Sequence, residues 1–460
     1  MGFKTIEELM EYSKKIIGKS INDVADDNEK LDGSPMKRKK GVLGNLVETE
    51  FFHYPQNNNP AADFEDLGVE LKITGIVETK NGYKAKERMV LSMINFMDVA
   101  KETFEESHLL EKNQLILILW YHYIKGINCR DYKFKYILLY SLLRDKKIIE
   151  HDYNIIRKKV LEGKAHELSE GDTTYLGACR KGRTGSDTRP QPYSDIPAPS
   201  RAFCLKNSYM TLILNELINN KFVLNNEQKV YNYKSVLEYV ESKLKPYYNK
   251  TQFEIIEELN VDLKTKPKNL NKIISDRLIG KDSELKNIDD MFKYSTYIIK
   301  NSPIFGDNRA KERMSFRNLT ISEFNEKWDD SDWKHYFEEI SIINIRYHFE
   351  KSNSKNGTGI LQDVIQFSFT DKDLDSMEKT YNMVKDAIEK YKKQELGEDI
   401  EDYIKLLPTP KSFEGQILEI LPKTDKGKRS YDTLFKNEGD TTKVAFALNK
   451  DYLNEKYKNN

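Results

Sequence analysis

The sequence predicts a mixed α/β protein that contains two tandem copies of one fold, and three observations support this. The chain has 460 residues, which is too long for one ordinary hydrophobic core. Apolar residues recur at helical spacing in some segments and form short β-branched or aromatic runs in others. Several short motifs also occur twice in the same order, about half the chain length apart.

The internal repeat rests on matches that keep their order along the chain. The clearest pairs are 85-AKERM-89 with 310-AKERM-314, Tyr121-His122-Tyr123 with Tyr347-His348-Phe349, and 202-AFCL-205 with 445-AFAL-448. Shorter pairs are 5-TIEELMEY-12 with 253-FEIIEELN-260, and Lys181-Gly182-Arg183 with Lys426-Gly427-Lys428. We therefore predict one domain over residues 1–225 and a second over residues 226–460, joined near the polar segment 219–229.

Within the first copy, the pattern predicts helices and strands in alternation. Helical spacing of apolar residues indicates helices over 5–17, 42–52 and 92–107. Runs of Val, Ile, Leu and aromatic residues indicate strands over 67–77, 86–92 and 115–124. Residues 171–200 are dense in Gly, Pro, Ser and Thr, so we expect a long functional loop there.

Composition excludes several classes of protein. The chain has 74 basic and 74 acidic side chains, so a nucleic-acid partner would have to be met by local basic loops. Its three cysteines show no CxxC spacing, which argues against zinc and disulfide frameworks and fits a reducing compartment. The chain has no run of about 18 apolar residues, so the sequence predicts no membrane-spanning helix. We expect a soluble cytoplasmic protein.

A group of charged residues in 62-ADFEDLGVELKITG-75 fits phosphodiester chemistry. Strand alternation places Glu70 and Lys72 on one face, with Leu71 on the other, and Asp63 can supply a second carboxylate. Hydrolysis of a phosphodiester near neutral pH needs a divalent ion, and Mg²⁺ prefers carboxylate and carbonyl oxygens. The alternative is an amphipathic surface strand with a solvated charged face.

Three segments, 41-GVLGNLVETEFF-52, 63-DFEDLGVELKITG-75 and 165-AHELSEGDTTYLGACRKG-182, resemble the MutH and Sau-3A-type endonucleases of the PD-(D/E)xK superfamily. The resemblance implies two tandem MutH-like restriction-endonuclease-fold domains, of which the second lacks catalytic residues. It implies that Asp63, Glu70, Lys72 and Glu48 carry catalysis. It also implies that Asp63, Glu70 and the backbone carbonyl of Leu71 bind Mg²⁺.

The second copy is expected to be catalytically inactive. A shift of 228 residues carries Lys72 to Lys300, Glu70 to Ile298 and Asp63 to Met291, and it carries Glu48 to Asp276. Two of the three carboxylates are therefore replaced by apolar residues, which cannot bind Mg²⁺.

Basic residues interleaved with glycines predict where DNA is bound. Arg and Lys suit guanine edges and phosphates, and the candidates are Arg180, Lys181, Gly182, Arg183, Arg189, Arg201, Lys206 and Tyr209. Lys86 and Lys112 could contact phosphates near the active site, but an ordinary surface lysine is the favoured interpretation of each. A matching loop in the second copy holds Lys426, Gly427, Lys428 and Arg429, which suggests DNA binding without cleavage.

The leading hypothesis is a Mg²⁺-dependent type II restriction endonuclease that cleaves double-stranded DNA at GATC, a specificity that only the resemblance implies. We expect a monomer that pairs on DNA or binds two sites, with the second domain as an allosteric effector. A cognate DNA methyltransferase is expected as a functional companion. The alternatives are a MutH-type mismatch-repair nicking enzyme and a non-catalytic, sequence-specific DNA-binding protein.

Overall fold

The computed structural model describes residues 2–25, 41–54, 61–80, 82–182, 187–224, 233–261, 269–280, 296–424, 427–436 and 441–458. The chain divides into two compact units. Unit 1 comprises Met1–Leu168 with Thr173–Lys234, and unit 2 comprises Ser169–Asp172 with Ser235–Asn460. The predicted boundary between residues 225 and 226 lies outside the described residues.

Unit 1 combines two sheets, a two-stranded ribbon and several helices. Its helices are α1 (Ile6–Ser13), α2 (Ile21–Val24), α3 (Val42–Leu46), α4 (Phe96–Val99), α5 (His108–Asn113), α6 (Lys146–Leu161) and α7 (Asn207–Ile218). Its strands are β1 (Val69–Thr79), β2 (Gly82–Ala85), β3 (Met89–Met93), β4 (Leu115–His122), β5 (Phe134–Ser141), β6 (Leu176–Arg180), β7 (Thr188–Gln191), β8 (Ser194–Pro199) and β9 (Arg201–Leu205). The sheets have the orders β2-β1-β4-β5 and β3-β9-β6, and β7 pairs with β8.

Unit 2 repeats the two sheets of unit 1. Its helices are α8 (Val236–Leu244), α9 (Gln252–Glu258), α10 (Leu270–Leu278), α11 (Asp332–Glu339), α12 (Asp371–Lys392), α13 (Ile400–Ile404) and α14 (Lys450–Lys458). Its strands are β10 (Tyr297–Phe305), β11 (Arg309–Ala310), β12 (Met314–Thr320), β13 (Ser341–Phe349), β14 (Ile360–Phe367), β15 (Leu418–Pro422) and β16 (Thr441–Leu448). The strand orders β11-β10-β13-β14 and β12-β16-β15 match those of unit 1, which confirms the predicted mixed α/β tandem fold.

Strand register explains why the AKERM motif occurs twice. Ala85 lies opposite Ile76 in β1, and Ala310 lies opposite Ile304 in β10. The next residue, a lysine, donates its backbone N–H to the carbonyl of Gly75 in unit 1 (2.9 Å) and of Pro303 in unit 2 (3.0 Å). The motif therefore leads from the first sheet into the first strand of the second sheet in both units.

The N-terminal repeat pair was matched wrongly. The backbone N–H of Gly18 bonds the carbonyl of Phe134 (2.8 Å), and that of Asn249 bonds the carbonyl of Leu361 in the same topological position (2.9 Å). Residues 5–12 therefore correspond to α8, which precedes Asn249, and not to residues 253–260. Acid-rich amphipathic helices share Glu and Leu patterns, so a short match between two of them is weak.

Two further local predictions were wrong. The predicted helix over 92–107 is the end of β3 followed by the four-residue helix α4, because this segment joins the second sheet rather than forming a long helix. The predicted loop over 171–200 contains all of β6, β7 and β8. Its prolines lie in the edge ribbon β7–β8, where a missing N–H is tolerated.

The other predicted helices, over 5–17 and 42–52, and the predicted strands, over 67–77, 86–92 and 115–124, overlap helices and strands of the structure. Strand β1 alternates as expected, and Val69 and Leu71 are buried on the core side together with Leu117 and Leu119 of β4. The opposite face of β1 carries Glu70. Among the described residues, no helix is long and apolar enough to cross a lipid bilayer.

Candidate active site

The turn before β1 brings Asp63 back alongside the strand. Gly68 has a φ of +62°, a conformation that favours glycine, and it lets the chain reverse after a short 3₁₀ turn. Phe64 then pairs with Val69 through its N–H at 2.9 Å. In consequence the backbone N–H of Leu71 donates to Oδ2 of Asp63 at 2.8 Å.

Glu70 is a buried carboxylate with one engaged oxygen and one open oxygen. It is 2% exposed, and its Oε1 accepts from Nζ of Lys72 at 2.5 Å. Nζ of Lys112 lies 3.8 Å from the same oxygen. Its Oε2 is buried and has no hydrogen-bond partner among the described residues. Burial, together with the nearby Asp63 charge, raises the pKa of Glu70 although Lys72 and Lys112 act in the opposite direction.

Glu48 joins this group from a helical segment that follows α3. Residues Val47–Phe51 form a π-helical turn, in which the N–H of Phe52 reaches the carbonyl of Val47 at 3.0 Å. Burial raises the pKa of Glu48, and the charges of Asp63 and Glu70 add to this, against the influence of Lys72. The structure thus brings all four predicted catalytic residues into electrostatic contact.

The oxygen atoms of the site determine how well it fits a divalent metal ion. In the described part of the chain, no group of three or more His, Cys, Asp or Glu side chains is placed to hold a metal ion. The site instead offers two carboxylates and a backbone oxygen. The N–H and C=O of one strand residue point to the same edge, so the Leu71 carbonyl faces the Asp63 side. The open Oε2 of Glu70 and this carbonyl fit a hard cation.

Lys86 and Lys112, for which the sequence provides only weak support for phosphate contact, lie in different surroundings. Lys112 lies beside Glu70 and is therefore part of the candidate active site. Lys86 lies over the ring of Tyr123, with Nζ 4.6 Å from the ring centroid, and its Nζ is 3.7 Å from the Glu87 carboxylate. Lys86 therefore has protein partners, and its contact with phosphate stays a prediction.

The basic segment after β6 lies partly on the surface. Arg180 ends β6, and the backbone N–H of Lys181 donates to the carbonyl of Ser200 at 2.7 Å. Gly182 has a φ of +96°, and a Cβ there would lie 2.5 Å from Asp187 Oδ2, so only glycine fits without a shift. Arg189 is exposed, and its Nε donates to Ser200 Oγ at 3.1 Å. Arg183 lies outside the described residues.

Three predicted DNA contacts are instead interior side chains. Arg201 is 2% exposed and donates to the carbonyl of Ala178 at 2.8 Å. Lys206 and Tyr209 are 0% exposed; Lys206 donates to the carbonyl of Thr173 and the Tyr209 hydroxyl donates to Asp145. One terminal nitrogen of Arg201, the ammonium of Lys206 and the hydroxyl of Tyr209 thus have protein partners in the interior. The structure therefore favours internal positioning over DNA contact for these three residues.

Unit 2 keeps the strand of the site and has Ile298 in place of Glu70. Lys72 lies opposite Ile118 in unit 1, and Lys300 lies opposite Asn344 in unit 2, which supports the predicted shift along the strand. Ile298 packs against the hydrophobic core of unit 2. Asp276 lies in α10 and is paired with Lys272 of the same helix. Met291 lies outside the described residues.

The loop of unit 2 that was matched to Lys181 is shifted. Lys423 directly follows β15 and donates its N–H to the carbonyl of Lys443 at 2.8 Å, as Lys181 does after β6. Lys423 is therefore the structural counterpart of Lys181, and sequence comparison missed it because the flanking loops differ in length. Arg429 is exposed within a helical segment that starts at Gly427, whereas Lys426 and the side chain of Lys428 lie outside the described residues.

Comparison with known proteins supplies the family. The family described as DNA mismatch repair enzyme MutH matches residues 52–152, which include Asp63, Glu70 and Lys72. The chain is 33% identical to the type II restriction enzyme Sau3AI of Staphylococcus aureus, over 85% of this chain and 81% of that protein. It is 27% identical to the DNA mismatch repair protein MutH of Vibrio campbellii, over 45% of this chain and 92% of that protein. The chain therefore belongs to the MutH-like family of type II restriction endonucleases, site-specific deoxyribonucleases that act on double-stranded DNA.

Proposed function

We propose that this type II restriction endonuclease is Mg²⁺-dependent and cleaves double-stranded DNA at GATC, with one active site in unit 1. The main support is that Asp63, Glu70 and Lys72 lie together and that the buried Oε2 of Glu70 has no hydrogen-bond partner among the described residues. Buried polar atoms are normally hydrogen-bonded, so an open carboxylate oxygen beside a second carboxylate indicates a cation site.

Each residue of the site has a proposed role in metal binding or in catalysis. Asp63, Glu70 and the carbonyl of Leu71 would hold Mg²⁺, which stabilises negative charge on the phosphate and lowers the pKa of a coordinated water. Lys72 keeps its ammonium beside Glu70, where it can orient a water or a phosphate oxygen. Glu48 adds a third acidic group to the same cluster. Lys112 adds a second ammonium that can neutralise the DNA backbone.

Support for recognition comes from the surface after β6. Lys181 and Arg189 are accessible at least in part, and Gly182 permits close approach of the backbone to a duplex. The GATC sequence itself comes from the resemblance to Sau-3A-type enzymes and not from any contact described above.

For unit 2, we propose DNA binding without cleavage, as an effector that engages a second recognition site. Its repeated sheets, the absence of an acid at Ile298 and the basic residues Lys423 and Arg429 support this role. A palindromic site has two scissile phosphates and each chain has one proposed active site. We therefore expect monomers that pair on DNA, and a companion methyltransferase that protects the host's sites.

Incubation of the full chain with unmethylated plasmid and Mg²⁺, followed by sequencing of the fragment ends, tests these proposals together. We expect double-strand fragments that all end at GATC, and faster cleavage of plasmids with two sites than of plasmids with one. A MutH-type nicking enzyme would leave open circles and no linear fragments. Binding without any cleavage, in both the wild type and Asp63→Ala, would contradict the assigned active site.

A further inference from the structure

A buried ion pair lies directly beside the helical turn that carries Glu48. Arg130 is 2% exposed, and its two terminal nitrogens donate to the two carboxylate oxygens of Glu50 at 2.7 and 2.6 Å. Its third nitrogen, Nε, donates to Oδ1 of Asn22 at 2.8 Å. This bidentate geometry is the strong and directional form of an arginine–carboxylate contact.

The pair constrains the direction of Glu48. Residues two apart in a helical turn point to different sides, so fixing Glu50 on Arg130 leaves Glu48 to face Asp63. The end of the turn is also tied down, because the hydroxyl of Tyr12 donates to the carbonyl of Phe51 at 2.9 Å. A π-helical turn is an uncommon conformation that often marks functional sites and needs such support.

Unit 2 supplies an internal comparison. In unit 1, Arg130 follows β4; in unit 2, the corresponding segment 351–359 after β13 contains no arginine. Asp276, the counterpart of Glu48, is paired with Lys272 of its own helix. The ion pair is thus found in the unit that has the acidic cluster and not in the described part of the unit that lacks it.

We propose that Arg130 is a positioning residue of the active site, which by holding Glu50 directs Glu48 toward Asp63. The inference rests on the proposed metal-dependent function. Removal of groups that orient metal-site residues lowers metal affinity or activity by about 10- to 100-fold in comparable sites.

The test compares Glu48→Gln, the double variant R130M/E50M and the triple variant that combines them. The double variant removes both charges together, which avoids leaving one buried ion without a partner. Two quantities are measured on the full chain bound to GATC-containing duplex. These are Mn²⁺ affinity from the free-ion signal in electron paramagnetic resonance, and the single-turnover cleavage rate in Mg²⁺. Glu50→Gln serves as a milder second variant.

We expect R130M/E50M to weaken Mn²⁺ binding and slow cleavage by about 10-fold or more, and Glu50→Gln to act in the same direction by less. The triple variant should be no worse than Glu48→Gln within about twofold, since a residue that acts through Glu48 has nothing left to position. Independent, multiplicative losses would overturn the proposal, as would unchanged Mn²⁺ affinity in folded double and Glu50→Gln variants.

A matched control is available in unit 2. Arg346 is also 2% exposed and binds Asp363 through two nitrogens at 2.6 and 2.7 Å. We expect R346M/D363M to leave Mn²⁺ affinity within about twofold, whatever it does to stability. An equal loss in this control would overturn a local role for Arg130. If Asp63→Ala instead retains wild-type cleavage, the proposed function fails, and not the positioning inference alone.

Discussion

Replacement of Glu70 by glutamine tests the proposed cation site most directly. The change keeps the size of the side chain and its strand position, and removes only the charge of a carboxylate that is 2% exposed. It exchanges one of two oxygens for an amide nitrogen that cannot bind Mg²⁺. It also leaves Lys72 and Lys112, both within 3.8 Å of Oε1, without their shared counter-charge.

The expected loss of activity follows from that geometry. Removal of one preorganised electrostatic group from a buried catalytic site slows reactions by about 10²- to 10³-fold. Glu70 would be both a metal ligand and the partner of Lys72, so we expect a loss of at least about 10³-fold, or about 4 kcal/mol in the barrier. For folding, loss of the lysine contacts opposes relief of repulsion with Asp63. Because the two effects have opposite signs, we expect the net change in stability to be small compared with the loss of activity.

The assay is single-turnover cleavage of a plasmid with one GATC site, with DNA binding measured separately in Ca²⁺. Glu78→Gln is the matched control, because Glu78 lies on the same face of β1 but is exposed. We expect wild-type cleavage from the control and near wild-type DNA binding from both variants. Cleavage by Glu70→Gln within about 10-fold of wild type would refute the assignment of Glu70 as a metal ligand.

Four further predictions rest on these and other contacts of unit 1. Because the pKa of Glu48 is raised above its ordinary value, its charge destabilises the metal-free protein above that pKa, and the penalty fades as the pH falls through it. Glu48→Gln should therefore unfold at a higher temperature than wild type near neutral pH, with the difference shrinking on acidification; a lower midpoint would contradict this. Saturating Mg²⁺, at about 100 times its dissociation constant, should stabilise the wild type by about 2.7 kcal/mol, measured by thermal unfolding, and should not stabilise Glu70→Gln. Arg189→Gln should reduce the salt dependence of DNA binding by about one unit without loss of stability. Lys206→Met should instead lower stability, by about 1.5–3 kcal/mol, because it leaves the buried carbonyl of Thr173 without its charged donor.

The sequence was sufficient for the parts of the site that lie close together along the chain. Asp63, Glu70 and Lys72 fall within one turn and one strand, where alternation fixes which side chains share a face. The tandem arrangement was also readable, since AKERM and the AFCL/AFAL pair occupy fixed register positions in both units.

Features that depend on contacts between segments far apart in the chain could not be predicted from the sequence. Lys206 and Tyr209 look like surface residues of a basic segment, but their partners Thr173 and Asp145 lie far away in sequence and bury them. Arg130 lies 80 residues from Glu50, and nothing in its own neighbourhood marks it as part of a site. Lys423 was missed because loops of unequal length shift a motif match while the strand register stays the same.

The two units together show what an acidic site requires of its fold. In unit 1, burial and mutual repulsion raise the pKa values of Glu48 and Glu70, so the charged forms of these carboxylates are unfavourable in the metal-free protein. In unit 2, the position of Glu70 holds Ile298, which packs against the core. Unit 2 thus has a neutral, packed side chain at the position where unit 1 keeps the buried Glu70 carboxylate, and an unfavourable buried charge of this kind is typical of functional sites.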